Sequence, residues 1–159
     1  MKLNNILIVG GDGFLGWNLC KSLKDSFNLF VLQRKETKLK RLHTFNNSIP
    51  VFFRNKDDLE KIIKYNKIDL IINVSTEYGS QKNISVTYQN NVISCMELIE
   101  FAINNSVKAF INTDSFYNKN EHLKYNHLSS YTYSKKHLEE LFTLYRNQIK
   151  IINFKLEHI

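Results

Sequence analysis

Apolar residues along the chain follow two alternating rhythms. Short runs that are apolar on both sides of the backbone predict six buried strands: "NILIVG" at 5–10, "FNLFVLQ" at 27–33, "PVFFRN" at 50–55, "DLIINVS" at 69–75, "KAFINTDS" at 108–115 and "KIINFKLEHI" at 150–159. Segments with a helical period lie between them. They run from about Gly13 to Lys24, through a short stretch in "LKRLHTF", through "DDLEKIIKYN" with acid in its first turn, and through the long "VTYQNNVISCMELIEFAINN". A last helix carries Tyr131 and Lys135 before the sixth strand. Strands that are apolar on both faces need helices on both sides, so the pattern predicts an α/β fold with a doubly wound parallel sheet. In such sheets ligands bind beyond the carboxyl ends of the strands, which is where candidate chemistry is sought.

The first strand ends in "GGDGFLGWN", with Gly10, Gly13 and Gly16 spaced three apart before a helix. Gly10 permits the tight turn, Gly13 lets the backbone approach a pyrophosphate, and Gly16 allows close helix–strand packing. The helix N-terminus offers free N–H groups around Phe14 and Leu15 to the phosphates. The second strand ends in "LQRKE", where a carboxylate would hold a ribose 2′-hydroxyl and an arginine would pair with a 2′-phosphate. Gln33, Arg34 and Lys35 come before the first acid, Glu36, which favours NADP over NAD. The fifth strand ends in "FINTDSFYN", whose Thr113 can hydrogen-bond a substrate hydroxyl or carbonyl; Thr113, Asp114 and Ser115 are equally good turn formers.

Composition narrows the class. A chain of 159 residues, with 43% hydrophobic and 13% aromatic residues, reads as one globular domain spanning 1–159. Its N-terminus has an apolar run of only Ile6 to Val9 before glycine, unlike a signal peptide. No run reaches the ~20 apolar residues of a membrane span. Cys20 and Cys95 sit inside helical patterns and read as buried thiols, so a cytoplasmic location is expected, with neither a membrane partner nor a metal site. The net charge of +7 includes one cluster, "QRKETKLKRL", at 33–42. That cluster lies at the end of the second strand, which suits a phosphate-bearing small ligand better than nucleic acid.

The stretch "SSYTYSKKHLEE" holds Tyr131 and Lys135 four apart, one turn from each other on a helical face. A phenol is a poor base at neutral pH. A neighbouring ammonium and the positive ring of an oxidised nicotinamide would stabilise its phenolate, and Lys135 would also reach ribose hydroxyls.

Taken together, these motifs resemble the extended short-chain dehydrogenase/reductase family, the NAD(P)-dependent nucleotide-sugar epimerases and dehydratases with a Rossmann-type cofactor domain. The glycine loop falls on Gly10, Gly13 and Gly16, the catalytic Ser/Thr on Thr113, and the Tyr-x-x-x-Lys pair on Tyr131 and Lys135. "INVST", with Val74, resembles the fourth-strand segment lying along the cofactor, and Asn91 matches the asparagine that opens the following helix. "STEYG", "FINTDSFYNKN" and "SSYTYSKKHLEE" look most like the branch acting on CDP- or dTDP-linked deoxysugars of surface polysaccharides, such as CDP-abequose synthase-like reductases and epimerases.

The resemblance implies that Tyr131 moves a proton to or from a sugar hydroxyl while hydride passes to or from nicotinamide. Thr113 would align the oxygen and Lys135 would tune the tyrosine. It further implies a nucleotide-sugar substrate, and homodimerisation through the helix of Tyr131 and the one after Asn91. Departures from the family pattern are Ser115 in place of the glutamate of a dehydratase Asp-Glu pair, Asn118 in place of a glycine, and Asn55 in place of an acid. The chain stops at "KLEHI", before the segment that leads into the family's substrate-binding region, and so resembles a cofactor half. A non-catalytic dinucleotide-binding sensor is the competing expectation; it would tolerate Tyr131→Phe.

Overall fold

The structure is a computed structural model and describes residues 3–34, 39–53, 56–78, 83–115 and 130–156. Lys35, Glu36, Asn55, Tyr117, Asn118 and Ser129 lie outside the described residues. All six expected strands are present: β1 (Asn5–Val9), β2 (Asn28–Gln33), β3 (Val51–Phe53), β4 (Leu70–Asn73), β5 (Ala109–Ser115) and β6 (Lys150–Leu156). Among the described residues five α-helices connect them: α1 (Phe14–Leu23), α2 (Lys56–Tyr65), α3 (Ile84–Tyr88), α4 (Ser94–Asn104) and α5 (Ser130–Phe142). A 3₁₀ turn at Leu42–Phe45 replaces the short helix expected between β2 and β3. The strands form one sheet in the order β3-β2-β1-β4-β5-β6, every pair parallel.

The alternation along each strand divides the core in two. Leu7, Val9, Ile71 and Phe110 face α2, α4 and α5, and all four are buried. Those helices answer with stripes at helical spacing: Leu59, Ile62 and Ile63 on α2; Cys95, Leu98, Ile99 and Ala102 on α4; Leu138 and Phe142 on α5. Ile6, Ile8, Val31, Leu70 and Ile72 face the other way, toward Cys20 of α1 and Leu42 of the 3₁₀ turn. Burial raises the Cys20 thiol to about 11, which makes it an inert packing group, as its helical pattern suggests. No helix among the described residues is long and apolar enough to cross a membrane.

The expected long helix at 86–105 is present as one continuous helical path from Ile84 to Asn104, with a π turn, Gln89–Ile93, set between α3 and α4. Asn91 in that turn is 3% exposed and has its side chain turned inward. One extra residue in the turn keeps Thr87 and Val92 buried on either side of it.

Candidate functional site

Strand order reverses between β2 and β4, on either side of β1, so the connections leaving β1 and β4 diverge and open a crevice at their carboxyl ends. A concavity of about 760 Å³ lies there. Its wall includes Gly10, Gly13, Phe14, Leu15 and Gly16 from the first loop, Arg34 after β2, and Val74 after β4. Thr113 of β5 and Tyr131 and Lys135 of α5 complete it. These ten sequence candidates thus border one space, although 121 positions separate Gly10 from Tyr131 in the chain.

The glycine loop shows why these positions carry no side chain. Gly10 has φ +87°. A Cβ on it would stand 2.9 Å from Ser75 Cα and N, and one on Gly16 would stand 2.3 Å from the Gly10 carbonyl oxygen. Neither collision is with a side chain that could move. Gly13 differs: its φ is −71°, and a Cβ there would meet only the Gly10 oxygen, at 3.3 Å. The fold tolerates a side chain at Gly13, whereas a ligand lying on the loop would not.

Asp12 anchors this loop. Its carboxylate accepts the backbone N–H groups of Lys40 and Arg41 at 2.7 Å each and of Leu42 at 2.9 Å. Burial pushes its carboxyl up, but these donors and the Arg41 charge outweigh it and hold the group below the usual value of 3.8. With its amide oriented to match donors with acceptors, Gln33 accepts from Asp12 N at 2.6 Å and Gly11 N at 3.0 Å. Gln33 therefore braces the loop, which leaves Arg34 as the side chain at the rim. Arg34 is 3.4 Å from the Glu77 carboxylate.

On α5, Ser134, Lys135, Leu138 and Phe142 face inward, and Tyr131 leads this stripe. Lys135 is 3% exposed and donates from Nζ to the Thr113 carbonyl at 2.8 Å. The ammonium expected to reach ribose hydroxyls is thus held against the β5 backbone. Burial lowers its pKa, and the charge of Asp114 works in the opposite direction. Thr113 donates from Oγ1 to the Asn73 carbonyl at 3.3 Å, and the Tyr131 ring packs against Tyr78, with ring centroids 5.4 Å apart.

Two polar arrangements were not apparent from the motifs. Asn91 accepts the Glu77 N–H at 2.7 Å, donates to the Glu77 carbonyl at 2.8 Å and donates to Ser134 Oγ at 2.9 Å. Ser134 in turn donates to the Tyr131 carbonyl, so Asn91 ties the β4 loop to the helix of Tyr131. The second arrangement is a row of asparagines, Asn73, Asn112 and Asn153, side by side on β4, β5 and β6. Its signal in the sequence is the recurrence of "IIN", "FIN" and "IIN" at 71–73, 110–112 and 151–153.

The concavity suits a dinucleotide by two observations. Gly13, on its wall, leaves the loop backbone open where a Cβ would meet only the Gly10 oxygen, and Thr76 Oγ1, also on the wall, is buried without a hydrogen-bond partner among the described residues. Comparison with known proteins agrees. Residues 6–159 match the model of the NAD dependent epimerase/dehydratase family. The chain is 33% identical to the CDP-abequose synthase of Salmonella muenchen, over 97% of this chain and 53% of that relative. It is 30% identical to the CDP-abequose synthase of Salmonella typhimurium, with shares of 97% and 52%. Thus it spans about half the length of the curated relatives it matches. Among solved structures, UDP-glucose 4-epimerase of Thermotoga maritima superposes with a TM-score of 0.81 at 19% identity, over 95% of this chain and 54% of that one. The enzyme WbmG of Bordetella bronchiseptica, solved in complex with NAD, gives 0.80 at 18% identity, with shares of 97% and 53%. Glycine cradle, parallel sheet and family match therefore agree, and the chain belongs to the NAD dependent epimerase/dehydratase family.

Proposed function

We propose that this chain is the dinucleotide-binding and proton-transfer half of an oxidoreductase or epimerase acting on a nucleotide-linked deoxysugar of surface-polysaccharide biosynthesis. The observation that carries the reading is the convergence of the glycine cradle, Thr113, Tyr131 and Lys135 on one concavity. A nicotinamide dinucleotide, when bound, supplies hydride acceptance and return. The residues of the chain do the rest. Phe14 and Leu15 would present backbone N–H groups to the pyrophosphate beside Gly13, whose own N–H is bonded to the Gly10 carbonyl at 3.1 Å, and Val74 would line the dinucleotide site. Tyr131 holds or releases the proton of the sugar hydroxyl, and Thr113 Oγ1 turns from the Asn73 carbonyl to align that oxygen. The buried ammonium of Lys135, one helical turn from Tyr131, favours the phenolate. The identity to two CDP-abequose synthases supports a CDP-linked sugar over other nucleotide sugars.

Arg34 supports NADP as the preferred dinucleotide, with NAD as the alternative that its pairing to Glu77 would permit. Exposed Val86, Ile93 and Tyr133, from α3, the π turn and α5, support homodimerisation on that side.

Because the chain spans about half of its relatives, dinucleotide binding is the property to measure first. Titration with NADPH and NADH, followed by nicotinamide fluorescence, is expected to saturate with both and more tightly with NADPH. Gly13→Asp should fold normally and lose about a hundredfold or more in affinity, because a carboxylate would occupy the phosphate position. Saturation that Gly13→Asp leaves unchanged would overturn the reading.

A further inference from the structure

The asparagine row is more than packing, because it has a direction and an end. Ser75 Oγ, on the wall of the concavity, donates to Asn73 Oδ1 at 2.8 Å. Asn73 Nδ2 donates to Asn112 Oδ1 at 3.0 Å, and Asn112 Nδ2 donates to Asn153 Oδ1 at 2.8 Å. Finally, Asn153 Nδ2 donates to Asp114 Oδ2 at 2.7 Å. Every amide is turned the same way, and the series closes on a carboxylate, the acceptor that gives such a chain its polarity.

Asp114 is 5% exposed. Its other oxygen accepts its neighbour's N–H, from Ser115, at 2.7 Å. N–H donors thus meet both of its oxygens. A buried carboxylate needs a cation, and a buried ammonium needs an anion. Lys135 is a buried ammonium close enough to feel this charge without an ion pair inside 4.0 Å, and its Nζ is fixed by the carbonyl of Thr113, the residue just before Asp114. Among the described residues the other titratable groups near Lys135 are the Cys95 thiol on α4 and Tyr131 one turn away on α5. Lys155, the neighbour of Asp114 in register on β6, pairs with Glu139 of α5 at 2.8 Å.

We propose that Asp114, held by the Ser75–Asn73–Asn112–Asn153 series, is the buried counter-charge of Lys135, and so a positioning residue that keeps this lysine charged beneath Tyr131. The consequence for Tyr131 rests on the function proposed above; the pairing with Lys135 does not. It gives the acidic position after Thr113 a different use from the proton donor of an Asp-Glu pair. It also explains why the three strands carry asparagine where their sequence pattern calls for an apolar residue.

The test is the titration of Lys135 in the full chain labelled with ¹³C at lysine Cε, with the resonance assigned by its loss in Lys135→Arg. In Asp114→Asn the pKa of Lys135 is expected to fall by about one unit or more, a tenfold or larger loss of proton affinity. A value unchanged in a folded Asp114→Asn variant would overturn the proposal. Should that variant not fold, thermal unfolding of Lys135→Met and of the double variant Asp114→Asn/Lys135→Met decides. Removing the carboxylate as well should rescue Lys135→Met, whereas further loss of stability in the double variant would overturn the pairing. Both readouts work without dinucleotide. A failed NADPH titration with the Lys135 shift present would therefore count against the proposed function and leave the counter-charge standing.

Discussion

The two ends of the sheet use the same kinds of residue in opposite ways. At the amino end, Asp69 accepts the N–H groups of Asn4 and Asn5 at 2.9 and 3.1 Å and pairs with Lys108. Asn5 donates to the Asn66 carbonyl at 2.7 Å, and Asn28 donates to Asn5 at 2.9 Å. Asparagine, aspartate and lysine there close on one another and on the backbone. At the carboxyl end, asparagine, aspartate and lysine again lie together, but beneath a cavity at whose wall Thr76 Oγ1 has no partner among the described residues. The difference teaches that polar density does not mark the site. What marks it is backbone left bare by glycine, together with polar groups that satisfy each other only from below.

Variants at the two ends should therefore separate binding from stability, and the largest expected effect is at Gly16. Gly16→Val pushes side-chain atoms into the Gly10 carbonyl and Gly11 Cα, both backbone. Such overpacking costs about 1–3 kcal/mol or more. That corresponds to roughly a 5 °C drop in melting temperature, and dinucleotide binding should fall below detection. Gly13→Asp belongs beside it as the variant that loses binding without that drop. A melting temperature for Gly13→Asp as low as that of Gly16→Val would erase the distinction between a packing glycine and a ligand-facing one.

At the opposite end, Asp69→Asn should do the reverse, costing about 1–2 kcal/mol of stability while leaving NADH affinity unchanged. The side-chain hydrogen bond from Lys108, with the N–H groups of Asn4 and Asn5, lowers the Asp69 carboxyl from 3.8 to about 2. A depressed carboxylate contributes stability that is complete above its unfolded pKa and is lost as pH falls through the folded one. The gap between wild type and Asp69→Asn should accordingly be full above about pH 5 and close toward pH 2 in chemical denaturation. A gap independent of pH would show that the carboxylate charge is not what clasps this end.

How much of this was legible in the sequence depends on whether the signal was local. Strand and helix order followed from the two apolar periods, and the glycine spacing located the crevice because backbone crowding leaves its mark within seven residues. The π turn was not legible. Residues 86–105 keep an unbroken amphipathic pattern, and the inward turn of Asn91 is set by Glu77 and Ser134, contacts distant in sequence. Lys135 was singled out for its place one turn from Tyr131, but its hold on the Thr113 carbonyl was not legible, since register between α5 and β5 is a tertiary fact. The asparagine row lay in plain view as three similar tripeptides. Only strand pairing shows that they are neighbours.

The smallest predicted effect tests how the rim of the carboxyl end discriminates between ligands. Gln33 is turned to the glycine loop, and among the described residues Arg34 is the charge that follows β2 at the edge of the cavity, with its side chain 45% exposed. Its pairing with Glu77 at 3.4 Å is long for a charge-assisted contact, so a 2′-phosphate would displace it at little cost. Arg34→Ala should then weaken NADPH about tenfold, the worth of one hydrogen-bonded charge, and leave NADH within about twofold. Equal losses for both dinucleotides would mean that Arg34 supports the shared adenosine and not the phosphate. The preference of the chain would then have to be sought in Glu77, whose carboxylate would be left to meet a ribose hydroxyl.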